Sequence, residues 1–263
     1  MKKHDIDLRS NETELKDIEI DLLLEIHKNM PRQGAGRNKY TEKAYNMIPK
    51  IEKANILDIE CGPGMQTIKL AKISYGRVIG IDIFEQYLDQ LRELIKKEHL
   101  ENKVEALNQS MFDIKFPEKY FDIIWAEGSI FIIGFEKGLI KWKKYIKEKG
   151  YLAVHDLAWI RKNPPREIRD FFNKTYPAMK TVEESLELIK KSGYNVLGNF
   201  ALPEDAWWEF YYDPLQKRLN KYKIKYKENK KAMEFINKEQ LEIDLYKKYS
   251  KYYSSVFYVI QKK

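Results

Sequence analysis

The chain has 263 residues, a formal net charge of +8, and 43% hydrophobic and 33% charged residues. This length is enough for one α/β domain or two small ones. The single cysteine, Cys61, excludes an intrachain disulfide and argues against a cysteine-based metal cluster, so no metal is expected. No run approaches the roughly 20 apolar residues that cross a bilayer, and the N-terminus lacks the apolar part of a secretory signal. We therefore expect a cytoplasmic protein without a membrane partner.

The positive charge comes from lysines spread along the chain, most densely between Lys217 and Lys231. Acidic residues interleave with these lysines at a helical rhythm, which is typical of a solvated helix face rather than of an arm that binds nucleic acid. Nucleic acid is therefore not the expected partner, although the basic charge keeps an RNA substrate as an alternative.

Apolar, β-branched runs that alternate with helical periodicity define the first half of the chain. Strands are predicted at 55–59, 77–83, 103–107, 120–127 and 151–159. Between the last two, the stripe of Leu139, Trp142 and Ile146 predicts a helix that ends at Gly150. Strands and helices in this order predict an α/β fold, a parallel sheet with helices on both faces.

The second half of the chain has a looser rhythm. Thr181 and Glu184 form a capping box that begins a helix, and Gly193 ends that helix. A sixth strand is predicted at 194–202, about forty helical residues follow it, and a final strand is predicted at 254–261. Since no flexible linker separates these elements, one domain is the economical interpretation.

Acidic residues and glycines follow the ends of the predicted strands. Asp58 and the turn Gly62-Pro63-Gly64 follow the first strand, and Asp82 ends the second. Ligands of parallel sheets bind at the carboxyl ends of the strands, and glycines let a ligand approach the backbone. The two carboxylate oxygens of Asp82 suit the paired hydroxyls of a ribose, and Met111 beside Ser110 suits a purine ring. The pattern therefore predicts a site for an adenosine-containing ligand.

The series LDIECGPGMQT, VIGIDIF, NQSMFDIKFPEKYFDIIWAEGSI and GYLAVHDLAW resembles class I S-adenosylmethionine-dependent methyltransferases. More narrowly, it is similar to the type 11, ubiquinone/menaquinone-biosynthesis group and its small-molecule relatives. The resemblance implies S-adenosyl-L-methionine as cofactor and a Rossmann-like, seven-stranded, mostly parallel sheet with an antiparallel last strand. It also implies helical elaborations at the N-terminus and between strands six and seven. A single domain, 1–263, would comprise an N-terminal helix and cofactor-covering loop (1–45), the cofactor-binding core (54–160), and C-terminal strands with a helical cap (161–263).

The resemblance also assigns roles to residues. In that family the acid of the first strand and the Gly turn hold the methionine part of the cofactor, the acid of the second strand binds the ribose, and the third strand's loop flanks the adenine. The segment RQGAG resembles a loop that closes over the cofactor, so that Arg32 would meet the methionine carboxylate. The expected cofactor-binding residues are Arg32, Asp58, Glu60, Gly62, Gly64, Gln66, Thr67, Asp82, Ile83, Ser110, Met111 and Glu127.

Glu60 departs from the family pattern, which is acid-x-Gly-x-Gly-x-Gly, because it stands where the first glycine belongs. Three interpretations stay open: the side chain points away, it accepts hydrogen bonds from the ammonium of the cofactor, or it has damaged the site. A nicotinamide site is disfavoured, since Thr67 stands where such a turn would have its third glycine.

Transfer of a sulfonium methyl group depends chiefly on alignment, and a general base is needed only for a protonated nucleophile. His155, at the end of the fifth strand beside Asp156, is one candidate base. Glu127 is the other, with contact to the cofactor as its competing role. For His155 a purely structural role stays open.

An aromatic group suggests what the acceptor looks like. The expected substrate pocket consists of Trp159, Trp207, Trp208 and Tyr211, which suit an apolar or aromatic acceptor, with core packing as the alternative. The function indicated is methyl transfer to a small molecule by in-line displacement, giving S-adenosylhomocysteine. The alternatives are a protein that binds the cofactor without turnover and an RNA methyltransferase. A homodimer is kept open as a further partner.

Overall fold

The computed structural model describes residues 17–263, and its centre is an eight-stranded sheet. The strands are β1 (Asn55–Ile59), β2 (Arg77–Asp82), β3 (Val104–Asn108), β4 (Phe121–Glu127), β5 (Ile146–Trp159), β6 (Lys180–Thr181), β7 (Tyr194–Ala201) and β8 (Tyr253–Lys262). Their order is β3-β2-β1-β4-β5-β8-β7, with the two-residue β6 paired to β5 beside this path. All pairs among β1 to β6 are parallel, and β8 is antiparallel to both neighbours. The predicted sheet is confirmed, and β6 is an addition to it.

Helices cover both faces of this sheet. They are α1 (Asp17–His27), α2 (Asn38–Tyr45), α3 (Met65–Ile73), α4 (Glu85–Lys97), α5 (Ile130–Ile133), α6 (Phe135–Trp142), α7 (Arg166–Thr175), α8 (Val182–Lys191), α9 (Asp205–Trp207), α10 (Asp213–Lys225) and α11 (Lys230–Tyr249). A π-helical turn, Trp208–Tyr212, joins α9 to α10. The predicted capping box of α8 is present, with Thr181 accepting from the Glu184 backbone N–H and Glu184 accepting from that of Thr181. Residues 1–16 of the predicted N-terminal elaboration lie outside the described residues.

The core forms on both sides of the central strands. Ile56 of β1 packs with residues of α3 and α4 such as Leu91, whereas Leu57 packs with residues of α6 and α8 such as Leu139. A strand buried on both faces needs a continuous apolar run, which is the pattern that identified β1.

One predicted boundary is wrong. The helix was expected to include Ile146 and to end at Gly150, but α6 ends at Trp142, a single 3₁₀ turn follows, and Ile146 already begins β5. Gly150 lies inside that strand, where an added Cβ would come within 2.9 Å of the Asp122 carbonyl oxygen. Its glycine therefore reflects the close approach of another backbone and not the end of a helix.

The segment from α9 to α11, called here the helical cap, is hydrogen-bonded to the N-terminal part of the chain. Residues 28–37, called the covering segment, join α1 to α2, and the Gly36 N–H donates to the Ala206 carbonyl oxygen at 2.8 Å. Asp205 accepts from Arg37 Nη1 and from the Tyr40 hydroxyl, each at 2.5 Å. The two helical elaborations are thereby held together above the sheet. Within residues 17–263, no helix has the length and apolar composition needed to cross a membrane.

Candidate functional site

The strand register brings the predicted acidic residues to one face of the sheet. Asp58 pairs with Gly80 of β2 on one side and with Trp125 of β4 on the other, and Glu127 pairs with His155 of β5. Because side chains alternate along a strand, Asp58, Asp82, Glu127 and His155 share a face at the carboxyl edge. Residues from four strands therefore meet where the sequence placed the ligand.

The glycine turn between β1 and α3 has the conformation that the sequence predicted. Gly62 and Gly64 have φ values of +54° and +91°, in the region that favours glycine. A Cβ at Gly64 would lie 2.3 Å from Leu91 Cδ1, so this position has no room for a side chain. The Gly62 N–H donates to Asp82 Oδ2 at 2.9 Å. The turn is thus fixed to the neighbouring strand end, and its backbone faces the carboxyl edge.

Glu60, which stands where the family pattern has a glycine, has a left-handed backbone conformation. Its φ is +54°, in the left-handed region that costs a non-glycine residue on the order of 1 kcal/mol. Burial raises the pKa of its carboxyl well above the ordinary value, the negative charge of Asp82 raises it further, and the backbone N–H of Met111 acts in the opposite direction. The side chain therefore lies between the second and third strand ends, on the side expected for adenosine.

Asp58 is fully buried, and only one of its two carboxylate oxygens has a hydrogen-bond partner. Its Oδ2 accepts from the Thr67 hydroxyl at 2.6 Å, whereas Oδ1 has no hydrogen-bond partner. Burial raises the pKa of Asp58 to about 8, the Thr67 hydrogen bond lowers it, and the charge of Glu127 raises it. A cation next to Oδ1 would both complete its hydrogen bonding and stabilise its charge.

Arg32 lies in the covering segment and is buried against Glu127. Its Nη2 donates to Glu127 Oε2 at 2.5 Å, while its Nε and Nη1 have no partner. Gly36 leaves room for the guanidinium of Arg32, because a Cβ at position 36 would lie 2.3 Å from Arg32 Nη2. Two donor nitrogens of a buried guanidinium are therefore left for an anion.

Glu127 is the centre of a buried network. Its Oε1 accepts from the Thr41 hydroxyl at 2.7 Å and from Trp125 Nε1 at 2.9 Å, and its Oε2 accepts from Arg32. Burial alone would raise the pKa of Glu127, but the charge of Arg32 and these hydrogen bonds hold it below the ordinary value. Since both oxygens are engaged, Glu127 fixes the covering segment to β4 and is not free to accept a proton.

His155 lies beside this network with no hydrogen bond of its own. Burial lowers its pKa to about 4, although the charge of Glu127 acts in the opposite direction. Both ring nitrogens lack a partner, Nε2 lies 3.9 Å from Glu127 Oε2, and the ring packs edge-on against Phe257. The imidazole is therefore neutral at physiological pH, and its one unprotonated ring nitrogen can accept a proton.

Other predicted residues support the turn or the core. Gln66 Nε2 donates to the Cys61 carbonyl oxygen, and Ser110 Oγ accepts from the Phe112 N–H. Ile83 continues from β2 beside Asp82, and Met111 is buried. These residues lie in the turn and at the ends of β2 and β3, on the side where the sequence predicts adenosine.

Three of the four predicted pocket aromatics belong to one aromatic cluster, because Trp207, Trp208 and Tyr211 each contact the Tyr212 ring. Trp207 stacks on Tyr246 at 4.4 Å and donates to Ser254 Oγ, and Trp159 packs on Phe172 at the end of β5. Trp208 contacts Tyr212 in the helical cap. The centre of the Tyr211 ring also lies 6.3 Å from that of the His27 ring at the end of α1. Core packing, the stated alternative, accounts for Trp207.

Several residues of this region had no signal in the sequence. They are His27, Gln33, Thr41, Tyr87, Trp125 and Glu239. Gln33 stands next to Arg32 in the RQGAG segment, and this position in the sequence is the signal that could have identified Gln33 as a site residue. No group of metal-binding side chains occurs among residues 17–263.

The unpartnered atoms of the site suit an amino acid group. Arg32 Nε and Nη1 can donate to a carboxylate, and Asp58 Oδ1 can accept from an ammonium. Each oxygen of Asp82 already accepts one backbone N–H, from Gly62 or Phe84, but retains a second lone pair for a hydroxyl. The donors and acceptors are therefore those that the methionine end and the ribose of S-adenosylmethionine would use.

Comparison with known proteins agrees with this geometry. Residues 56–150 match the family model described as a methyltransferase domain. The fold superimposes on a SAM-dependent methyltransferase from Geobacter sulfurreducens in complex with S-adenosyl-L-homocysteine, with a TM-score of 0.78 and 13% identity, over 92% of this chain and 98% of that one. It also superimposes on the [4+2]-cyclase SpnF, with a TM-score of 0.70 and 14% identity, over 94% and 93% of the two chains.

The curated relatives match over shorter stretches. The demethylmenaquinone methyltransferase of Bacteroides fragilis is 25% identical over 137 residues, which are 51% of this chain and 56% of the relative. The chain spans between a third and just over half of the length of the curated relatives it matches.

The matched segment thus carries a methyltransferase domain. More particularly, the fold is shared with S-adenosylmethionine-dependent methyltransferases, to which the four motifs are similar. The predicted family, fold class and cofactor class are confirmed.

Proposed function

We propose that this protein binds S-adenosyl-L-methionine at the carboxyl edge of β1, β2, β3 and β4 and transfers its methyl group to a small-molecule acceptor. The observation that carries the proposal is a pair of buried side chains with unsatisfied polar atoms: Arg32 pairs with Glu127 but leaves Nε and Nη1 without a partner, and Asp58 leaves Oδ1 without one. A buried polar atom without a partner costs about 1–3 kcal/mol, which a ligand that completes its hydrogen bonding would recover.

Each wall of the site has a role in this proposal. Arg32 would bind the methionine carboxylate and Asp58 the ammonium, while Gly62 and Gly64 let the cofactor approach the backbone. Asp82 would accept from the ribose hydroxyls. Met111, Ile83 and Ser110 would flank the adenine. Glu127 would act as a positioning residue, because it holds the guanidinium of Arg32 and, through Thr41, the start of α2.

When bound, the cofactor supplies an activated sulfonium methyl group, so the protein must mainly position the acceptor and exclude water. The covering segment and the helical cap enclose the edge, which serves the exclusion of water. His155 is neutral and would take a proton from an acceptor that arrives protonated. The expected product is S-adenosylhomocysteine.

A small acceptor suits this enclosure. The Gly36–Ala206 hydrogen bond and the Asp205 contacts hold the covering segment to the helical cap, and Arg32 of that segment contacts Glu127 at the edge. We expect a cover held in this way to favour a small acceptor over a polymer. The Bacteroides fragilis relative is named as acting on demethylmenaquinone, which is a small molecule. An RNA substrate stays the weaker alternative, based on the net charge of +8.

A second function, binding the cofactor without methyl transfer, is favoured by two observations. Glu60 adds a carboxyl on the adenosine side of the site, and one close fold neighbour is a [4+2]-cyclase. Cofactor binding is common to both functions, so binding alone does not separate them.

The test combines calorimetry with a product assay. S-adenosylmethionine is titrated into the protein, and S-adenosylhomocysteine is then measured by mass spectrometry across a panel of quinols, phenols and amines. Acceptor-dependent product formation supports methyl transfer, whereas tight binding without product across the panel supports the second function. Binding to transfer RNA that weakens steeply with salt would favour an RNA substrate.

A further inference from the structure

We propose that His27, Glu239 and Tyr211 form a subsite that binds an ammonium group of the acceptor, so that the acceptor is an amine. This inference rests on the proposed function, since it names the class of acceptor for the same site.

The first observation is an imidazole nitrogen without a partner. His27, the last residue of α1, is 3% exposed. Its Nδ1 lies 2.8 Å from Gln33 Oε1, while Gln33 Nε2 lies 3.5 Å from the His27 carbonyl oxygen. This amide orientation makes Gln33 Oε1 the acceptor and Nδ1 the donor. His27 Nε2 then has no hydrogen-bond partner, although it is buried.

The second observation is what Nε2 faces. Glu239 Oε2 of α11 lies 3.7 Å away, too far for a hydrogen bond but close enough for both atoms to contact one donor. A nitrogen placed about 2.9 Å from each atom would donate to both. An ammonium has three N–H donors and can do this, whereas a hydroxyl has one and can serve only one of the two.

The charge of the surroundings also selects a cation. Glu242 lies one helical turn after Glu239 on the same side of α11, and the Tyr212 hydroxyl donates to it at 3.0 Å. Burial and then the charge of Glu239 raise the pKa of Glu242 to about 7. Among residues 17–263, neither carboxylate forms an ion pair with a Lys or Arg, and the charge of Lys238 lowers the pKa of Glu242 less than that of Glu239 raises it. A cationic ligand would supply the missing positive charge.

Tyr211 completes the subsite from the helical cap. Its ring centre lies 6.3 Å from that of His27, and both Glu239 and Glu242 act on its hydroxyl. An aromatic face beside carboxylates suits an ammonium through cation–π attraction. The subsite thus has two acceptors, negative charge and an aromatic ring, contributed by α1, α11 and the π-helical turn.

The subsite also borders the expected cofactor. Gln33, which holds His27, accepts from the Tyr87 hydroxyl at 3.0 Å, and its Cγ lies 3.7 Å from where a Cβ of Gly62 would be. One side chain therefore connects the imidazole to the glycine turn. This proximity distinguishes an acceptor subsite from an unrelated surface site.

The test uses matched amine and alcohol probes on the full chain. Tyramine and its neutral counterpart tyrosol, and the smaller pair ethanolamine and ethylene glycol, are titrated calorimetrically with and without saturating S-adenosylhomocysteine. The amine of at least one pair should bind tenfold or more tightly than its alcohol. Glu239→Gln should remove that difference, and Glu234→Gln, an exposed residue of the same helix, should preserve it. Thermal melting checks that both variants fold.

His27 provides an independent readout. Its ring signals in NMR, identified by their loss in His27→Gln, should shift when the amine is added and stay unchanged with the alcohol. Equal binding of amine and alcohol, no effect of Glu239→Gln, or no amine binding at millimolar concentration would overturn the inference and leave His27 and Glu239 as a structural contact. Absence of S-adenosylhomocysteine binding would instead contradict the proposed function, and the titrations without it still decide the amine question.

Discussion

Glu60 allows a test of backbone strain in the site, because its φ of +54° lies in the left-handed region that favours glycine. Replacing it by alanine removes the carboxyl but keeps a Cβ in the left-handed region, whereas Glu60→Gly removes both. The two variants lose the same contacts to Met111 and Asp82, so their difference isolates the backbone.

The left-handed conformation costs a residue with a Cβ on the order of 1–2 kcal/mol, and the extra chain entropy of glycine offsets about 0.5–1 kcal/mol of that cost. Glu60→Gly should therefore be about 1 kcal/mol more stable than Glu60→Ala, which for a chain of this size raises the melting temperature by roughly 2–4 °C. Urea unfolding followed by circular dichroism measures the difference. Equal stability of the two variants, or a more stable alanine variant, would refute the reasoning.

The carboxyl itself can be tested by pH. Because the pKa of Glu60 is raised in the folded protein, the stability it contributes is fully present below its ordinary pKa of 4.5 and is lost as pH rises through the raised value. The stability of the natural protein relative to Glu60→Ala should therefore fall as pH rises above 4.5. Glu60→Gly should bind S-adenosylmethionine equally or more tightly, and abolished binding would instead make Glu60 a ligand.

Three further predictions concern neighbouring charges. Asp82→Ala should weaken S-adenosylmethionine binding at least tenfold by calorimetry, since it removes the ribose acceptor and the anchor of the Gly62 N–H; unchanged affinity would contradict the placement. Glu127→Gln should cost about 3–5 kcal/mol in urea unfolding because it leaves Arg32 buried without its counter-ion, whereas the exposed Glu118→Gln should be neutral. Burial raises the pKa of Asp58 from 3.8 to about 8, so the stability of the ligand-free protein should fall as pH rises from 3.8 to about 8. Asp58→Asn should abolish that fall, and a pH dependence that survives the substitution would assign it to another group.

The sequence was most informative where function depends on local pattern. Asp58, the Gly62–Gly64 turn and Asp82 stand directly after strands that apolar runs identify, so their meeting at one edge follows from the parallel sheet. The capping box at Thr181 was equally local.

Contacts between distant segments could not be predicted in this way. Arg32 and Glu127 are separated by 95 positions, and their ion pair depends on how the covering segment crosses the sheet. His27 and Glu239 meet only because the helical cap folds back over α1. The predicted helix end at Gly150 was wrong for a related reason. A glycine is required there because the Asp122 backbone approaches closely, and not because a helix ends.

The most direct measurement compares S-adenosylhomocysteine with 5′-methylthioadenosine, which has the adenosine but lacks the amino acid end. If Arg32 and Asp58 bind that end, S-adenosylhomocysteine should bind once per chain and about 100-fold more tightly, which corresponds to about 2.7 kcal/mol for the two charged contacts. Equal affinity of the two compounds, or no binding of S-adenosylhomocysteine, would contradict the account.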